Sequence, residues 1–107
     1  KIYIIFNPTP KMEQPERQFE YIYTDEIQKI NPGDNLEVSL SPQSQKYLLL
    51  DPEEYKHWFP TYSGIVISSN HTTLDEIILQ NPITKETFAC KNKAGDESMI
   101  FIKRFLD

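Results

Sequence analysis

Thr24-Asp25-Glu26-Ile27-Gln28-Lys29-Ile30-Asn31-Pro32-Gly33-Asp34-Asn35-Leu36-Glu37-Val38-Ser39-Leu40 is the stretch that decides the fold. Its first half reads as a short helix. Thr24 can cap it, and Asp25 and Glu26 suit its positive end. Asn31-Pro32-Gly33-Asp34 stops that helix and turns the chain. The second half alternates: Leu36, Val38 and Leu40 point one way, Glu37 and Ser39 the other. That is the pattern of a half-buried strand.

Working outward, residues 19–23 form a strand candidate with Phe19, Tyr21 and Tyr23 on one face. Residues 1–6 are a further strand candidate. Residues 7–17 carry Pro8, Pro10 and Pro15 with little apolar content and read as a surface loop. Downstream, residues 46–50 read as a short strand. Asp51-Pro52-Glu53-Glu54 signals a helix start, with Asp at the cap and Pro at the first position. That helix should reach about Phe59 and stop at Pro60.

The last third reads as β throughout. Residues 64–68 hold Ile65-Val66-Ile67, a buried strand. Residues 74–80 and 86–91 flank a hairpin loop at 81–85. Ala94-Gly95-Asp96 is a turn, and residues 98–105 are a final strand. The whole of 1–107 is thus expected to be one domain. It is mainly β with two short helices, its seven or eight strands closing fully or partly into a small barrel. A barrel would also remove exposed strand edges.

Composition narrows the function classes. With 38% hydrophobic and 25% charged residues, the chain can build a core. A formal charge of -5 argues against broad, non-specific affinity for nucleic acid or anionic membrane. No apolar run approaches the ~18–20 residues of a membrane-spanning helix. The opening apolar stretch ends at Asn7-Pro8 and does not read as a signal peptide. Cys90 is the only cysteine, so no internal disulfide forms and a reducing, cytoplasmic location is expected.

Catalytic and metal signatures are weak. Phe88 and Cys90 share a strand face, and a free Cys there reads as a core thiol. His57 and His71 lack partners that spell a triad. Two His and one Cys give no zinc spacing, and Asp51, Glu53 and Glu54 read as cap and first-turn acids. No catalytic residue, metal or cofactor is expected. The sequon Asn70-His71-Thr72 reads as an exposed polar turn.

Two binding surfaces remain. Residues 91–107 hold Lys91, Lys93, Lys103 and Arg104 against three acids, whereas 51–90 hold two lysines against six. Those four cations are candidate phosphate contacts for RNA, with Tyr62, His71 or Trp58 offering stacking surface. The plainer reading is a solvated β edge whose lysines discourage pairing. The aromatic run His57-Trp58-Phe59-Pro60-Thr61-Tyr62 is the second surface. There Trp58, Phe59 and Tyr62 either pin the short helix to the barrel or bind a protein partner. An acidic inhibitor or immunity-type protein is the alternative function, and an enzyme acting on nucleic acid a more distant third.

The order strand, loop, strand, short helix, then Ile30-Asn31-Pro32-Gly33-Asp34 into an alternating strand, with a β-rich second half, resembles the PUA-like family of small pseudobarrels. The motif-level match covers residues 24–40; the rest agrees in order and length. Together with size and acidity, the opening Ile2-Tyr3-Ile4-Ile5-Phe6-Asn7-Pro8-Thr9-Pro10 also resembles small PUA-like regulators of pheromone-responsive conjugative plasmids in Gram-positive cocci. That resemblance implies an intracellular, non-enzymatic protein that lowers expression of conjugation or adhesin genes through RNA.

Overall fold

The structure is a computed structural model that describes residues 17–68 and 72–106. The expected strand at 1–6, the loop at 7–16 and the sequon with His71 lie outside the described residues. One antiparallel sheet of six strands forms the frame: β1 (Phe19–Ile22), β2 (Asn35–Pro42), β3 (Thr61–Val66), β4 (Ile78–Gln80), β5 (Thr87–Ala89) and β6 (Ser98–Phe105). Their order across the sheet is β1-β6-β2-β3-β4-β5. Among the described residues β1 and β5 are its two edges and do not pair with each other.

The alternating strand is where the sequence places it. Leu36, Val38 and Leu40 are buried on one face of β2. Val38 lies opposite Ile102 of β6, and Ile102 opposite Ile22 of β1. This stripe continues through Val66 and Leu79 in β3 and β4. Ile27, Ile30, Phe59, Leu74, Ile77 and Cys90 complete the core over that face.

The turn into β2 is tied down by hydrogen bonds. Gly33 adopts φ 94°, a conformation that favours glycine. Its N–H donates to the Val66 carbonyl at 2.8 Å, and the Val66 N–H donates to the Asp34 carbonyl at 2.9 Å. The Asp34 carboxylate also accepts from the Asn31 N–H at 2.8 Å.

The helix before it differs from expectation. Thr24–Lys29 is a 3₁₀ segment with Tyr23, not Thr24, at its cap. Three residues per turn put Ile27 and Ile30 on the same side, and both are buried. The expected second helix is present as α1 (Pro52–Trp58), with the Asp51 carboxylate accepting the Glu54 N–H at 2.9 Å.

Residues 46–50 are not a strand. Gln45–Leu49 is a 3₁₀ turn whose cap, Ser44, accepts the Lys46 N–H. β2 pairs with β3 as far as Ser39 and with β6 as far as Pro42, and there the chain turns away from the sheet. Tyr47 anchors the turn by donating its hydroxyl to Glu97 at 2.8 Å, while Leu49 stays 89% exposed.

Residues 74–80 divide similarly. Leu74–Glu76 is 3₁₀, because the Glu76 carboxylate collects the N–H groups of Thr72 and Thr73. Only Ile78–Gln80 is strand. The hairpin loop at 81–85 is present, closed by Asn81 Oδ1 accepting from Ile83 and Thr84. Of Ile65-Val66-Ile67 only Val66 is fully buried, and Ile67 is 46% exposed.

Candidate nucleic-acid interface

The four candidate cations do not form one patch. Lys103 and Arg104 are consecutive in β6 and so project to opposite faces of the sheet. Arg104 turns toward the covered side. Its guanidinium donates to Glu20 at 2.9 and 3.1 Å, to Asp34 at 3.2 Å and to the Lys29 carbonyl at 2.9 Å. Burial opposes its charge, but the bonds to Glu20 and Asp34 outweigh that and raise its pKa. Arg104 is a structural tie between β1, β6 and the turn before β2. Lys91 and Lys93 lie beyond β5, at the far edge. The Lys91 carbonyl accepts the Tyr62 hydroxyl at 2.8 Å, and the Lys93 ammonium stands 3.4 Å from the His57 ring nitrogens.

The aromatic run likewise divides. Phe59 is core, 4% exposed, with Tyr47 edge-on at 5.0 Å and Tyr55 tilted at 5.4 Å. Tyr62 is half-buried and stacks on Phe88 at 6.0 Å. Burial raises the Tyr62 pKa, with the Cys90 and Asp75 charges adding to it. Trp58 stays 37% exposed, and His57 beside it is exposed as well.

The constellation that the run-by-run reading missed lies on the other face of the sheet. There β1 presents Phe19 and Tyr21, and β6 presents Met99, Phe101, Lys103 and Phe105. Tyr21, Met99 and Phe101 are 41–52% exposed. Register places Phe19 opposite Phe105 and Tyr21 opposite Lys103. The Lys103 ammonium sits 4.6 Å from the Phe19 ring centroid, and the Arg17 guanidinium 3.8 Å from that of Phe105. Phe19 meets Tyr21 edge-on at 5.3 Å and Phe105 at 6.2 Å. Glu37 is the acid beside them, across from Lys103 on β2. A shallow cleft of about 530 Å³ continues from Arg17 and Phe105 over Asn35, Ser63 and Ile83. The signal was in the sequence: residues 98–105 are apolar on both alternating faces, which one buried face does not require.

A second cleft, of about 590 Å³, lies on the covered side between Gln43, Asp75, Asn92 and Ser98. Its polar groups are largely matched to each other. Asp75 accepts the Asn92 N–H at 3.0 Å, and the buried Ser98 hydroxyl donates to Asn92 at 2.7 Å. No group of three His, Cys, Asp or Glu side chains suited to a metal occurs among the described residues. No helix among them is long and apolar enough to cross a membrane.

Cys90 is fully buried, and burial, with Asp75 contributing, pushes its pKa up to about 12. The folded value exceeds the unfolded one of about 8.5, so the native state holds this proton more tightly. The stability this confers is complete below about pH 8.5 and is lost as pH rises toward the folded pKa. Thiol labelling at mildly alkaline pH should therefore proceed only through unfolding and accelerate with denaturant. Native-state labelling as fast as that of a free thiol would contradict this burial.

Among the described residues, fold and site define a small antiparallel sheet with one packed face and one open, aromatic face. Comparison with known proteins adds no relative: no family model, no curated protein and no solved structure matches the chain.

Proposed function

We propose that this protein is a non-enzymatic regulator that binds RNA on the open face of its sheet. The observation that carries the reading is the placement of the Lys103 and Arg17 cations over exposed or half-exposed rings of β1 and β6. The exposed Tyr21 and Phe101 rings beside those capped rings give bases a stacking surface, and the cations meet the phosphates. The resemblance of the chain's size, acidity and opening residues 2–10 to small PUA-like plasmid regulators extends this to a cytoplasmic regulator carried by a mobile element. It would lower expression of conjugation or adhesin genes. The net charge of -5 confines affinity to this local patch and argues against a sequence-blind polycation mode.

Binding by so few cations should depend on salt only moderately. Each phosphate contact to a single strand contributes a slope of about -0.7 in log K against log salt. Lys103→Ala should lower the affinity and reduce the slope by about 0.7. Titration of a labelled RNA at several salt concentrations measures both. In cells, crosslinking of the tagged protein should recover RNA that is lost in Lys103→Glu. A single protein partner without RNA would turn the reading to an acidic inhibitor docking through Trp58, whose ring is 37% exposed.

A further inference from the structure

We infer that the ligand of the open face is an unpaired strand, held by the faces of two or three bases along the β1–β6 ribbon. This inference rests on the RNA-binding reading and specifies its ligand. Tyr21 and Tyr23 are 52% and 68% exposed, and Phe101 is 46% exposed. Tyr23 follows β1 in extended backbone, φ -83° and ψ 158°, so it keeps the alternation of Phe19 and Tyr21. It lies one step past the Ile22–Ile102 pair, where the β1–β6 ladder ends. Alternate residues on a strand stand about 6.6–6.8 Å apart, and neighbouring strands about 4.8 Å. The ribbon therefore offers separate rings at Tyr21, Tyr23 and Phe101, with Lys103 between Tyr21 and Glu37.

Such rings can stack only on base faces that are free, and a duplex hides its base faces in its own stack. A duplex would have to be held through phosphates, for which this face offers Lys103 and Arg17 beside the Glu37 carboxylate. Sheet modules that grip single-stranded RNA use aromatic side chains in this way for two or three bases. Stacking tolerates any base, so discrimination among sequences should be modest.

The test uses the full chain, a short labelled oligouridylate and a blunt RNA duplex of equal length. Fluorescence anisotropy should show the single strand bound and the duplex bound at least about 10-fold more weakly. Tyr21→Ala and Phe101→Ala should each cost about 5- to 160-fold in affinity for the single strand. Tyr21→Phe keeps the ring and should retain binding, which separates lost stacking from lost folding. Equal affinity for the duplex overturns this inference and leaves RNA binding standing. So does wild-type affinity in both alanine variants alongside a loss in Lys103→Ala. Binding of neither probe overturns both.

Discussion

Arg104→Ala is expected to destabilise the protein by about 2–3 kcal/mol, with a melting temperature lower by roughly 10–20 °C. The guanidinium makes four contacts, with Glu20 (two), Asp34 and the Lys29 carbonyl, and its side chain is only 20% exposed. Truncation leaves Asp34 (also little exposed) and the Lys29 carbonyl short of a donor, and an abandoned acceptor costs more than a mean hydrogen bond. Arg104→Lys should recover only part of the loss, because an ammonium cannot span the same fork of acceptors. Lys103→Ala, one residue away on the open face, should shift stability by less than about 0.5 kcal/mol. Thermal denaturation of the three variants makes the comparison, and equal melting of Arg104→Ala and wild type would remove this tie from the account. A double change at Lys103 and Arg104 would therefore confuse lost binding with lost folding, so nucleic-acid tests belong on Lys103 alone.

Gly64→Ala should cost a similar amount, about 2–3 kcal/mol. A Cβ at residue 64 would stand 2.7 Å from the Gln80 carbonyl oxygen, 3.1 Å from its carbon and 3.2 Å from Leu79 Cβ. The nearest obstacle is backbone of β4, which has no rotamer to turn away. β3 and β4 must part where Ile65 faces Gln80 and Val66 faces Leu79. The β4–β5 hairpin joins the rest of the ladder along that short pairing and the Ile67 N–H bond to the Ile78 carbonyl, so its amides should lose exchange protection first. Ser63→Ala, whose side chain points outward, is the matched control and should be near neutral. Denaturant unfolding at wild-type midpoint for Gly64→Ala would mean that the strands are not so closely apposed.

How much was legible depended on whether a signal was local. The β2 alternation, the Gly33 turn, the Asp51-Pro52 helix start and the span of β6 each follow from neighbouring residues, and each is present. Residues 46–50 and 74–76 read as strand because they are apolar or lead into an apolar run. They form 3₁₀ turns because Ser44 and Glu76 capture nearby N–H groups. Propensity for a strand counts for little once nearby side chains have taken the backbone N–H groups.

The candidate site shows the same division. Clustering of Lys91, Lys93, Lys103 and Arg104 along the sequence suggested one basic patch, yet strand alternation and sheet order scatter them. Arg104 alone is absorbed by three partners distant in sequence, which composition cannot reveal. The sequence by itself determined the β-rich class, the turn into β2 and which face of that strand is buried, since these rest on backbone preferences and a period of two. Only the tertiary structure decided that β6 lies between β1 and β2, and so which rings share the open face with Lys103. Those neighbours come from strand pairing across more than 60 residues, such as Tyr21 with Lys103 and Glu37 with Lys103, and the packing of the whole core selects that pairing.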